Sequence, residues 1–95
     1  MGTETVAVRV LVSGRVTGVG FRYATVDEAE RYPGLRGYVR NADFRTVECV
    51  LQGSPEDTSA MVDWLRHGPA TARVLSCTVT PIAVDAALPP FRVRH

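Results

Sequence analysis

The feature that most constrains the fold of this 95-residue sequence is a change of hydrophobic period across one glycine-rich segment. From Thr5 to Val12, residues Val6, Val8, Val10 and Val12 alternate with Ala7, Arg9 and Leu11, the period-two pattern of a half-buried strand. From Phe21 to Tyr32 the period lengthens. Phe21, Ala24, Thr25, Ala29 and Tyr32 share one side at helical spacing, and Asp27, Glu28, Glu30 and Arg31 lie mostly opposite. Between them runs Gly14-Arg-Val-Thr-Gly-Val-Gly-Phe-Arg22, with three glycines in seven residues. Glycine allows positive φ and close backbone approach to a ligand. A loop of this kind that opens a helix aims several N–H donors at one point, where the helix dipole also favours negative charge.

The remaining elements follow from their punctuation. Pro33-Gly34 stops the first helix. Gly37 to Asn41 and Thr46 to Gln52 read as two strands joined at Ala42-Asp43-Phe44-Arg45, a hairpin. Ser54-Pro-Glu-Asp supplies an N-cap, a proline at the first helical position and acids in the first turn. The helix it starts runs to about His67 with Met61, Trp64 and Leu65 as its apolar stripe, and Gly68-Pro69 ends it. Trp64 reads as core. Val74 to Thr80 is a further strand before Pro81, and Phe91 to Arg94 a short edge strand. The order β-α-β-β-α-β with an additional C-terminal edge strand predicts an α+β, ferredoxin-like sandwich, two helices on one face of an antiparallel sheet.

A chain of this length with 45% hydrophobic residues is sized for one core, so residues 1–95 are expected to form a single domain. The formal net charge is +1, so any anion preference has to be local. Arg9, Arg15, Arg22, Arg31, Arg36, Arg40 and Arg45 all fall in the first half, where a basic patch would form. No stretch approaches the roughly 20 apolar residues that cross a bilayer, and no signal segment opens the chain, which reads as cytoplasmic. Cys49 and Cys77 lack metal or redox spacing and are expected to be buried free thiols. His67 and His95 have no partner at ligand spacing, so no metal and no cofactor are expected.

Arg22 falls in the first turn of the first helix, where a cation opposes the dipole unless an anion sits between them. The glycine spacing is neither G-x-G-x-x-G nor a Walker loop, so a nucleotide site has little support. Asn41 closes Gly37-Tyr-Val-Arg-Asn41 and carries both donors and an acceptor, which suits it to hold a water beside a developing charge. An RNP-type aromatic motif and a strongly basic sheet are both missing, which argues against nucleic acid as a partner.

Together, G-R-V-T-G-V-G-F-R at 14–22, G-Y-V-R-N at 37–41 and V-E-C-V-L-Q-G at 47–53 resemble the acylphosphatase family, as do W-L-R-H-G-P at 64–69 and F-R-V-R at 91–94. The resemblance implies a small, metal-independent hydrolase that splits acyl phosphates into a carboxylate and inorganic phosphate, and no exposed apolar stripe in the sequence argues against a monomer. It implies that Arg22 binds the phosphate and Asn41 positions the attacking water. The loop Arg15, Val16, Thr17, Gly18, Val19 and Gly20 would wrap the phosphate oxygens through backbone amides. Related domains also occur fused within hydrogenase maturation factors, but this chain is too short for their additional domains, so a stand-alone enzyme is expected. Thr17 stands where glutamine is usual, and Phe44-Arg45 align with a common Asp-Gly turn, so the hairpin has to adopt another geometry or strain a non-glycine residue. The Tyr32 to Gly37 connection is about one residue longer than in many relatives, a difference expected to affect a surface loop only. The alternative to an enzyme is a non-catalytic phosphate- or anion-binding regulatory module.

Overall fold

The alternating valines form strand β1 (Val6–Arg15), which continues past Val12 into the glycine-rich segment. The computed structural model describes residues 4–95, so the first three positions of the expected 1–95 span lie outside the described residues. After β1 come α1 (Phe21–Ala29), β2 (Arg36–Asp43), β3 (Thr46–Gly53), α2 (Pro55–Leu65), β4 (Arg73–Pro81) and β5 (Arg92–Val93). The sheet order is β4-β1-β3-β2-β5, with β1 flanked on both sides and β4 and β5 at the edges.

The first four strands pair antiparallel, as expected, whereas β5 joins β2 in parallel through Tyr38↔Arg92 and Val39↔Val93. The reason is the route of the chain after β4, which passes from one edge of the sheet to the other before it pairs. Gln52 holds this passage by mimicking a backbone partner. Its Nε2 donates to the Asp85 carbonyl at 3.0 Å, and its Oε1 accepts from the Asp85 N–H at 2.8 Å.

α1 ends at Ala29, earlier than its periodicity predicts. Arg31 N–H donates to Glu28 at 3.1 Å and Tyr32 N–H to Ala29 at 2.9 Å, so the last turn tightens to i→i−3 bonds ahead of Pro33. α2 keeps its expected start, where the Ser54 side chain accepts from the Asp57 N–H at 3.1 Å, and it stops at Leu65.

One face of the sheet carries the core. Val10 and Val12 of β1, Val39 of β2 and Val47, Cys49 and Leu51 of β3 are buried in one cluster with Phe21, Met61 and Leu65 from the helices. Each large apolar side chain in it contributes roughly 1.5–3 kcal/mol relative to exposure. Trp64 packs at the margin, its ring centroid 5.9 Å from that of Phe21. No helix among the described residues is long and apolar enough to cross a membrane.

Both cysteines are free thiols, Cys49 fully buried and Cys77 only partly, because β4 is an edge strand. Burial, then the Glu48 carboxylate and Cys77, push the Cys49 thiol well above its ordinary range. Burial raises Cys77 as well, against the opposing Arg66 guanidinium. The folded chain therefore keeps protons that the unfolded chain releases. This contribution to stability is complete below the unfolded thiol pKa of about 8.5 and is lost as pH rises through the raised folded values. The urea midpoint should fall as pH rises from about 8.5 to about 9.5, and Cys49→Ala, though less stable at neutral pH, should lose most of that slope.

Candidate active site

The geometry of the glycine-rich loop starts with an irregularity in β1. Ser13 pairs with Ser76, but Gly14 pairs with Val74 and Arg15 with Arg73, so Leu75 is the extra residue of a bulge. A Cβ on Gly14, which has φ 131°, would lie 2.3 Å from the Arg73 carbonyl oxygen, so only glycine lets the strands close here. Arg15 is consequently the last residue of a paired strand, and the free loop is residues 16–20.

Val16 anchors that loop by inserting its side chain, 1% exposed, into the core. Gly20 ends it as the N-cap of α1 in the left-handed region, φ 77°, with no side-chain cap. Its carbonyl accepts from Ala24 N–H at 3.0 Å. Among the described residues, the backbone N–H groups from Thr17 to Tyr23 have no protein acceptor. The first turn contains no acidic residue to offset the positive dipole end, and Arg22 stands there instead. The result is a concentration of donors and positive potential at the head of α1.

Side chains hold the loop from two directions. Thr17 Oγ1 donates to the Phe44 carbonyl at 2.5 Å, and Thr71 Oγ1 donates to the Val19 carbonyl at 2.8 Å. Below them, Gly14 N–H donates to the Arg45 carbonyl at 3.1 Å. The hairpin turn and the head of β4 thus form the walls on which the loop is hung.

The turn without Asp-Gly is unstrained. Among the described residues no non-glycine residue has positive φ, so Phe44 and Arg45 avoid the primed turn geometry. Asp43 Oδ1 accepts from Arg45 N–H at 2.8 Å, and the register shifts between Asn41 and Asp43, so a bulge takes up the mismatch in twist. Asn41 itself stays paired with Val47, which pairs in turn with Val12. The three residues form one row on the helix-covered face, Val12 and Val47 fully buried and Asn41 exposed beyond the core. That row lies at the end of the sheet from which the 16–20 loop leaves.

The first-half arginines divide into two groups. Arg9 and Arg40 each lie 2.6 Å from the buried carboxylate of Glu48, Arg31 lies 3.7 Å from Glu28, and Arg36 Nε donates to the Leu88 carbonyl at 2.7 Å. Arg15, Arg22 and Arg45 have no carboxylate partner among the described residues, and all three belong to the loop end of the sheet. The guanidinium carbon of Arg22 sits 5.8 Å from the ring centroid of Tyr23. No group of three or more His, Cys, Asp or Glu side chains among the described residues is placed to hold a metal ion.

The acylphosphatase family model matches residues 8–93, from the middle of β1 to the end of β5. The chain belongs to the acylphosphatase family. It is therefore a hydrolase, built on that family's βαββαβ arrangement with one added strand. It is 45% identical over 92 residues to an acylphosphatase of Anaeromyxobacter sp., covering 97% of this chain and 98% of the relative. An acylphosphatase of Burkholderia thailandensis is 46% identical over 89 residues, covering 94% and 88%. The crystal structure of acylphosphatase from Bacillus subtilis superimposes with a TM-score of 0.86 at 30% identity, over 95% of this chain and 99% of that one. Full-length HypF, phosphate- and nucleotide-bound, shares the fold at 20% identity with a TM-score of 0.85, this chain covering 12% of it.

Sequence reasoning singled out the loop, Arg22 and Asn41 as candidates but not Thr71, Arg73 or Leu75, which reach this end of the molecule only through sheet register. The Thr17 contact yields a direct test. Thr17→Val should lower the unfolding free energy by about 1 kcal/mol in urea titrations, the size of one net hydrogen bond, whereas Thr17→Ser should retain most of it.

Proposed function

We propose that the chain hydrolyses the carboxyl–phosphate bond of acyl phosphates, with the phosphoryl group seated on the loop amides and Arg22. The observation that carries this reading is the run of unpartnered N–H groups from Thr17 to Tyr23, with a cation rather than an acid in the first helical turn. The three peripheral oxygens of a dianionic phosphoryl group offer acceptors to those donors and remove the conflict between Arg22 and the dipole. The planar guanidinium of Arg22 pairs with two phosphate oxygens at once.

Asn41 orients the attacking water. Its exposed side chain, in the row of Val12 and Val47, accepts a hydrogen bond from that water through Oδ1 and leaves Nδ2 free to donate to the phosphoryl group. The water oxygen forms a bond to phosphorus while the bond from phosphorus to the acyl oxygen breaks, and the electron pair leaves with the carboxylate. The proton of the water passes to a phosphate oxygen, so the products are a carboxylate and inorganic phosphate. Neither a protein nucleophile nor a protein base enters the step. Phosphoryl transfer depends on positioning and charge stabilisation, and an acyl phosphate already has a good leaving group. In this reading the enzyme is a metal-independent monomer acting on a small molecule in the cytoplasm.

The roles separate kinetically. With benzoyl phosphate and EDTA, Arg22→Ala should lower kcat/KM by roughly 100-fold or more and weaken competitive inhibition by inorganic phosphate. Asn41→Ala should lower kcat by a similar factor, roughly 100-fold, and leave phosphate inhibition close to that of wild type. A folded wild type that binds phosphate without turnover would replace this reading with that of a regulatory anion-binding module.

A further inference from the structure

A second cationic feature lies beside the loop and is not needed to hold the reacting phosphate. A cavity of about 360 Å³ opens there, lined among others by Arg15, Thr17, Phe44, Arg45, Arg73 and Leu75. Three of these are exposed arginines with no carboxylate partner among the described residues. Asp43, two residues before Arg45, accepts the Arg45 backbone N–H through Oδ1.

Two properties mark this cavity as a ligand surface rather than ordinary solvated charge. Arg15 and Arg73 are direct cross-strand partners, and like charges placed opposite each other destabilise a sheet unless something anionic lies between them. The bulge that leaves Leu75 unpaired and the turn that carries Phe44 also place two large apolar side chains on the same rim, 64% and 82% exposed. Exposed apolar groups beside unpaired guanidinia suit a ligand with a carbon skeleton ending in negative charge.

The cavity shares Thr17 with the loop, and Thr17 Oγ1 is bonded to the Phe44 carbonyl, so loop and rim are one mechanical unit. We infer that this rim is the acyl-group subsite, selecting acyl phosphates whose acyl chain carries a second anionic group, through Arg45 and Arg73 with Phe44 and Leu75 against the carbon skeleton. The inference rests on the reading that the loop seats the reacting phosphate.

Steady-state kinetics on three substrates of similar length test it: para-toluoyl phosphate, para-carboxybenzoyl phosphate and para-phosphonobenzoyl phosphate. Wild type should favour the two charged substrates over the toluoyl compound in kcat/KM by about 10-fold at low salt, and the faster of the two names the anion the rim takes. Arg45→Gln and Arg73→Gln should each reduce that preference by roughly 3-fold, the range of an exposed charge pair, and the double variant should remove most of it. Turnover of the toluoyl compound should be unchanged in all three variants, which also reports that they fold. The preference should shrink as ionic strength rises, with the screening length falling to about 8 Å near 0.15 M salt. Equal kcat/KM for all three substrates in wild type, or a preference that survives the double variant, overturns the inference and leaves the hydrolase reading intact. Absence of turnover on every substrate overturns the hydrolase reading instead.

Discussion

β1 is hydrogen-bonded along both edges, to β3 and to β4, and the loop depends on where that strand releases its neighbours. The release is at Gly14, whose missing Cβ lets the backbone pass the Arg73 carbonyl. With Arg15 still paired and Val16 buried, the chain has only a few residues in which to turn into α1. A connection this short, begun in a strand and ended at a left-handed Gly20, leaves the first amides of the helix facing outward without a side-chain cap. The donor cluster is therefore a consequence of how β1 ends, and the core beneath it fixes its position.

The same sheet end gathers parts that are distant in sequence. Thr17 and Phe44 are joined by a hydrogen bond across 27 positions, and Thr71 reaches Val19 across 52. Each bond is worth only about 1 kcal/mol, but it falls on the loop's own carbonyl or side chain and limits how the amides can reorient. Preorganised donors act on a developing charge without reorganisation at the moment of reaction, which is where such modest contacts matter most. Thr17 and the Phe44-Arg45 turn, two of the three places where the sequence was expected to depart from the family pattern, are bonded to one another.

Much of this was legible in the sequence, for identifiable reasons. The valine alternation and the Ser54-Pro55 start are local signals, and both elements formed where they were expected. The strand signal gave out at Val12 because Ser13, Gly14 and Arg15 carry no hydrophobic period, yet pairing on both sides keeps them extended. The parallel docking of β5 could not be read from Arg92 and Val93, since it is set by the path of the preceding connection. Arg22 and Asn41 stood out through their chemistry and local setting. Arg73 and Leu75 did not, because only the register of β4 against β1 brings them beside the loop.

In the proposed mechanism, backbone amides at the head of α1, together with Arg22, form the seat for a phosphate. Amide chemical shifts in a titration of the labelled protein with inorganic phosphate test this most directly. The largest saturable shifts should belong to the N–H groups of residues 17–23, and Arg22→Ala should weaken the titration without moving it elsewhere. Saturable shifts centred on another surface, with residues 17–23 unmoved, would contradict it.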